Sequence, residues 1–424
     1  MVDLLVRRAR IVGRDDVVDI ACRDGQISDV GPELSITATQ EIDAAGQLVT
    51  PPFVDSHFHM DATLALHDQQ RRNVSGTLLE GIALWGDLKP AQTVERITEQ
   101  AMKLLSWSIA RGTLAIRSHV DICDPQLRAV EALVAVREQI KPYVDLQLVA
   151  FPQDGYLRDP NAKAQLTRAL DLGVDVIGGI PHFERTMADG AESVRQLCEL
   201  AAERGLMVDM HCDESDDPLS RHVESLAYHT QRCGLQGRVT GSHLTSMHSM
   251  DNYYVSKLLP LMAEAQLNAI CNPLVNMVLQ GRHDTYPKRR GLTRVKEMLA
   301  AGINVALGHD DIVDPWYPLG SHDMLEVAHM GVHALHMSGT SQMEQLFDAV
   351  THNAARILNL EGYGLEPGCY ADMVILQAPD PIEALRLRAT RLKVIRRGRV
   401  IAESAPQCSH LHLGDTALDV NFSL

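Results

Sequence analysis

Two histidines separated by a single residue, His57 and His59, stand at the end of the short apolar run Val54-Asp55-Ser56-His57-Phe58-His59. Alternate residues of a β-strand face the same side, so the two imidazoles project together and can offer two nitrogens to one metal ion. Alone the pattern is weak, because polar residues often stand where a strand becomes a loop. Downstream, however, His119, Asp121, Gln153, His182, Glu184, His211, Glu214, His243, Asn272, His309, Asp310 and Asp311 supply further ligand types and groups able to move protons.

These residues need elements to bring them together. From Pro51 to about Leu365, β-rich runs at 48–54, 114–119, 145–151, 174–178, 207–211, 239–243, 267–271 and 304–309 alternate with helical patterns such as 93–111, 190–204 and 292–301. Eight strands with intervening helices predict an α/β fold, a (β/α)8 TIM-type barrel. An open doubly wound sheet would want a glycine-rich phosphate turn after its first strand, and none is present there. In a barrel of this type functional groups lie where strands end. Each residue named above follows one of the eight runs, and 19 histidines scattered at random would not mark so many strand ends. Four donors from three strand ends, His57, His59, His211 and Asp310, would make a site for one divalent ion, zinc or ferrous iron, with an open position for water.

Outside this region the chain alternates in short β-like pieces: 3–6, 17–22 and 26–30 around the turn Arg23-Asp24-Gly25, and, after about Gly368, 372–376 and 393–401. Neither end has enough strands to bury a face of its own. Both termini are therefore expected to pair into one small β-sandwich, residues 1–50 plus 366–424, beside a catalytic barrel of residues 51–365.

A net charge of −16 without a long Lys/Arg stripe disfavours nucleic acid as a partner. Apolar residues at 45% and charged residues at 22% indicate a globular chain. Eight scattered cysteines without a Cys-x-x-Cys pair fit a reduced, cytoplasmic protein better than a disulfide framework or a thiolate zinc cage. No run approaches the roughly 18 apolar residues of a membrane span, so a membrane location is not expected.

The ligand pattern resembles the amidohydrolase superfamily, whose members with one metal carry His-x-His on the first strand, His on the fifth and sixth, and Asp on the eighth. Longer runs resemble one branch of it, the bacterial cytosine deaminases: Pro51-Pro52-Phe53-Val54, Ser75-Gly76-Thr77-Leu78, His211-Cys212-Asp213-Glu214, Asn272-Pro273-Leu274-Val275-Asn276, the segment from Asp284 to Gly291, Gly308-His309-Asp310-Asp311, and Asp314-Pro315-Trp316-Tyr317-Pro318-Leu319-Gly320. The similarity runs nearly end to end. It departs at Asp55-Ser56 and Met60-Asp61-Ala62, which flank the histidines and bear on substrate preference only. The Pro-Cys-x-x-Cys element that accompanies His-x-Glu in the separate cytidine deaminase fold is absent. No lysine ends the predicted third or fourth strand, which disfavours the two-metal hydrolases of the superfamily.

The resemblance implies hydrolytic deamination of cytosine to uracil and ammonia by one metal-activated water per subunit, in a homo-oligomer. Asp310 would ligate the ion and accept the proton of the water, and Glu214 would protonate the ring nitrogen beside the attacked carbon. His243 would hydrogen-bond the attacking hydroxide or bind the metal, the resemblance favouring the former. Gln153 carries donor and acceptor for the amide-like edge of a pyrimidine. Leu78 and Trp316 would form apolar walls, and Asp311 would border the C5 side of the ring, since adjacent residues diverge and it should not share the ion with Asp310. Lys288, Arg289 and Arg290 read as a solvated loop or a subunit contact. Rival substrates are isocytosine, 5-methylcytosine, creatinine and triazines. A non-catalytic scaffold would show gaps among the site residues, and there are none.

Overall fold

The computed structural model describes residues 1–66 and 71–423. Eight parallel strands, Phe53–Phe58, Thr113–Asp121, Asp145–Phe151, Val176–Gly179, Met207–Cys212, Val239–His243, Asn268–Cys271 and Val305–Leu307, pair in sequence order. The ring closes between the first and the last. Phe58 bridges Asp310 in parallel, His59 N donates to Asp310 O and Asp310 N to His57 O, each at 2.9 Å, and Ser56 Oγ donates to Leu307 O at 3.1 Å. The result is the expected (β/α)8 barrel, its strands buried on both faces as in all-parallel sheets.

The helices pack an apolar stripe against the strands. In Val94–Ala110 the stripe is Ile97, Ala101, Leu104, Leu105 and Ser108, a spacing of three to four residues. Thr93 caps this helix by accepting from Arg96 N at 3.2 Å.

The expected first run, 48–54, is two strands. Pro51 and Pro52 have no N–H to give a ladder, so Val49–Thr50 leaves the barrel and pairs antiparallel with Met373–Leu376. That strand continues through Arg391–Arg396 to Arg399–Glu403, giving one four-stranded terminal sheet built from both chain ends. The other terminal sheet comes from the N-terminal segment alone: Val2–Ala9, Val18–Arg23, Gln26–Gly31 and Ala38–Asp43. Leu4, Val6, Ile20 and Ile42 of this sheet share one core with Met373, Ile375 and Ile395 of the first, making the sandwich. A further hairpin, Ser409–Leu413 with Thr416–Val420, pairs only within itself. Among the described residues no helix is long and apolar enough to cross a membrane.

The barrel interior is not uniformly apolar. Arg117, 1% exposed, donates to Asp209 Oδ2 at 2.9 Å, Gln147 Oε1 at 2.7 Å and Ile357 O at 2.9 Å. Asp209, fully buried, also accepts from Ser242 Oγ at 2.6 Å. Burial still holds the Asp209 carboxyl above its ordinary value despite Arg117. Removing one partner leaves the other charge uncompensated, so Arg117→Met should destabilise the protein by about 3–5 kcal/mol. Denaturant unfolding of Arg117→Met, beside Arg117→Met/Asp209→Leu, checks this: the double variant should recover part of the loss.

Candidate metal centre and active-site cavity

Backbone closure sets the first two candidate ligands against the last. His57 ends the first barrel strand, and His59 lies just beyond it but still on the ladder through its bond to Asp310 O. His57 Nε2 is 3.3 Å from Asp310 Oδ1, and His59 Nε2 is 3.6 Å from the same oxygen. His59 Nε2 and His211 Nε2 are 2.9 Å apart. His57, His59 and His211 each offer one nitrogen, and the three lie within 4.8 Å of one another.

Close approach here depends on special backbone. A Cβ on Gly308 would sit 2.5 Å from Asn272 Oδ1 and 2.8 Å from His57 Cβ, so only glycine lets the eighth strand reach the first at this level. Asp310 (φ +75°) and His243 (φ +69°) occupy the left-handed region, a strain that persists where surrounding structure imposes it. The kink at Asp310 changes one expectation. Asp310 and Asp311 were expected to diverge, yet with His59 each offers a ligand atom, all three within 4.8 Å of one another.

The electrostatics have one dominant cause, burial. Desolvation, reinforced by neighbouring imidazoles, pushes His57 and His211 well below the usual imidazole value, and desolvation alone brings His59 to about 3. The rings are therefore neutral, with lone pairs to donate. The carboxyls move the other way: Asp310 and Asp311 are held well above the usual range by burial and by each other's neighbourhood, including Asp314 and Glu214. Several buried polar atoms have no hydrogen-bond partner among the described residues, namely both ring nitrogens of His57, His211 Nδ1, His243 Nε2 and Asp310 Oδ2. Neutral imidazoles, crowded carboxyls and orphaned donors fit a divalent cation, which would relieve all three.

Above this cluster lies a cavity of about 400 Å³, within the ~300–1,000 Å³ range of small-molecule sites. His59, Leu78, Gln153, His211, Glu214, His243, Asp310, Asp311 and Trp316 all line it. His57 lies outside that lining and is fully buried. Glu214 follows the fifth strand, 9% exposed, and desolvation raises its carboxyl to about 8. Its Oε1 is 3.6 Å from His243 Nδ1, which is itself 3.0 Å from Asn276 Nδ2 and 3.8 Å from Asp310 Oδ2. His243 thus stands between the candidate ligand Asp310 and the Glu214 carboxyl.

Several lining groups were not singled out from the sequence. The helix Leu78–Leu88 brings Ile82 and Trp85 beside Leu78. It fits closely because a Cβ at Gly81 would stand 2.7 Å from Trp316 Cδ1. Phe151 stacks on His211, with centroids 4.1 Å apart and planes at 14°. Lys89 reaches from the following turn to Asp121 Oδ2 at 2.8 Å. His119, a strand-end residue with no role assigned, packs its ring 4.2 Å from that of His57. Asp55, read as a departure from the family pattern, anchors the metal strand: its Oδ1 accepts from His57 N at 3.2 Å and His309 N at 3.1 Å, and its Oδ2 lies 2.8 Å from His322 Nε2. Phe151 alone had a signal, as the last apolar residue of a predicted strand.

Residues 40–402 match the model of the amidohydrolase family. Among solved structures, 5-methylcytosine deaminase from Klebsiella pneumoniae liganded with phosphonocytosine is 41% identical, covers 96% of this chain and 99% of its own, and superposes with a TM-score of 0.92. Among curated proteins, N-isopropylammelide isopropyl amidohydrolase of Pseudomonas sp. (strain ADP) is 30% identical over 95% of this chain and 97% of its own. Pterin deaminase of Rhizobium rhizogenes is 31% identical over 93% and 90%.

If His59 and His211 hold the ion together, His211→Ala should lose most bound metal while keeping its fold. Metal analysis of dialysed protein with circular dichroism checks this, and near-stoichiometric metal in the variant would remove His211 from the ligand set.

Proposed function

The chain belongs to the amidohydrolase family, and on that premise we propose that it is a metal-dependent hydrolytic deaminase of a free cytosine-type base, converting cytosine to uracil and ammonia. The observation that carries this reading is Glu214: a carboxyl raised to about 8 by burial, lining the same cavity as the His/Asp cluster and therefore protonated at neutral pH. Similarity to a structure liganded with phosphonocytosine supports the choice of ring.

One divalent ion, zinc or ferrous iron, held by His57, His59, His211 and Asp310 would supply water of lowered pKa. The protein groups do the rest. Glu214 donates its proton to the ring nitrogen next to C4, which makes that carbon electrophilic. Asp310 receives the proton of the attacking water. A C–O bond forms at C4, and His243 orients the incoming oxygen. The proton held by Asp310 passes to the exocyclic nitrogen, the C–N bond breaks and ammonia leaves, while the hydroxyl proton at C4 goes to Glu214 as the carbonyl of uracil forms, which restores both carboxyls. Gln153 pairs with O2 and N1–H of the base, Leu78 and Trp316 hold its faces, and Asp311 borders C5. We assign this chemistry to residues 51–365, with 1–50 and 366–424 as the supporting sandwich.

A second reading, 5-methylcytosine as the preferred base, is favoured by the 41% identity to a deaminase of that name and by a cavity of about 400 Å³. It keeps every proton transfer and changes only the C5 contact.

Two outcomes test the reading. Glu214→Gln should lower kcat by about 10²- to 10⁴-fold with metal content unchanged; loss of metal would make Glu214 a ligand instead. Ammonia release should be compared for cytosine, 5-methylcytosine, isocytosine, creatinine and cytidine at matched concentration. A ribose on N1 removes the donor that Gln153 reads, and a site built to bond a group rejects an analogue lacking it by about 10⁴–10⁵. Cytidine turned over as fast as the free bases would refute the pocket, whereas a preference for creatinine would overturn the ring alone.

A further inference from the structure

A second cleft, of about 360 Å³, lies between the segment 288–297, His248 and the end of the helix Met324–Ala334. Five cations line it: Lys288, Arg289, Arg290, Arg294 and Lys296. On a chain of net charge −16 such a concentration requires an explanation. Two of the five have carboxylate partners. Arg289 forks onto Asp284 at 2.7 and 2.8 Å, and Arg294 stands 3.5 Å from Glu297.

The other three contact only neutral oxygens among the described residues. Lys288 Nζ is 3.4 Å from Gly281 O, Arg290 Nη1 donates to Ala334 O at 2.8 Å, and Lys296 Nζ donates to His336 O at 3.1 Å. A carbonyl satisfies a donor without neutralising its charge. Ala334 does end a helix, but a helix terminus carries only about −0.5 of a charge, against three full positive ones. Each of these groups keeps further N–H donors beyond the one engaged, since an ammonium has three and a guanidinium five. His248, whose side chain is 9% exposed, lines the same cleft. Its Nε2 lies 3.0 Å from Asp216 Oδ1, and neither ring nitrogen has a well-formed hydrogen bond among the described residues.

We propose that this cleft is a binding site for a phosphate group, as free phosphate or as a small phosphate monoester, separate from the metal centre. Phosphate suits the cleft because one dianion with several acceptor oxygens can engage an ammonium and a guanidinium together by charge-assisted bonds. Nucleic acid does not suit it, since the chain as a whole carries a net charge of −16. The inference uses the residues of this cleft alone and stands apart from the deaminase reading.

Calorimetric titration of the metal-loaded full chain with inorganic phosphate, and separately with ribose 5-phosphate, at fixed ionic strength in chloride tests it. Saturable binding of one equivalent per chain is expected for at least one probe, and the tighter probe tells free phosphate from a monoester. Lys288→Gln/Arg290→Gln/Lys296→Gln should weaken that binding by about tenfold or more, with metal content and basal turnover unchanged. Exposed Lys296→Gln alone should weaken it in the same direction, which keeps the test valid should the triple variant not fold. Two results would overturn the site: phosphate held equally well by the variants, which would assign it to the metal centre, or no saturable binding with a changed oligomeric state in the triple variant, which would make the cleft a contact between copies.

Discussion

Everything at the site depends on two backbone hydrogen bonds, His59 N to Asp310 O and Asp310 N to His57 O. They are the seam at which a sheet of eight strands becomes a ring. They also fix the register between the first strand and the last, and in a parallel pair a slip of one residue would turn His57 and His59 away from Asp310. Barrel closure and ligand assembly are thus one event. Gly308 and the left-handed turn at Asp310 serve that seam, the first by clearing space beside His57, the second by aiming the carboxylate inward.

Burial then sets the chemistry. The same withdrawal from water that keeps the imidazoles neutral makes the carboxyls hold their protons, so opposite shifts share one cause. A cluster of this kind is unfavourable by itself and is tolerated because a cation would compensate it. Glu214 differs from Asp310 in this respect: only desolvation shifts it, whereas Asp310 also feels Glu214, Asp314 and Asp55. A carboxyl that titrates under a single influence is suited to carry protons. One embedded among other charges can hold an ion and still accept a proton from its water, the double part proposed for Asp310.

The strand ends were readable because period-two apolar runs finish on polar residues, and the barrel rule says where such ends gather. This is why His57, His59, His211, Glu214, His243 and Asp310 stand out as candidates from their types and spacing, and the structure brings them together at one mouth of the barrel. The walls of the cavity were not readable in the same way. Ile82, Trp85 and Phe183 are apolar residues in segments between strands, where no periodicity separates a wall from ordinary core. The run 48–54 looks like one strand because its apolar character is continuous across Pro51-Pro52, while the missing N–H donors of the two prolines divide it. Ala38–Asp43 and the hairpin 409–420 escaped notice because they are largely exposed, so no buried face marks them. In the sequence Asp55 bears only on fine preference, yet its carboxylate ties two site backbones together, a role that only distances reveal.

The departure of Val49–Thr50 from the barrel has a consequence for how the chain is made. Its partner strand, Met373–Leu376, emerges from the ribosome about 320 residues later. At about 5–20 residues per second that is a delay on the order of tens of seconds. Over most of that interval the eighth strand, Val305–Leu307, is also still to come, so the first barrel strand keeps one edge unpaired. The N-terminal sheet built from residues 2–43 has all four of its strands early and can form at once. The nascent protein is therefore a small finished sheet leading a long unfinished one, with an open edge of the kind that chaperones shield.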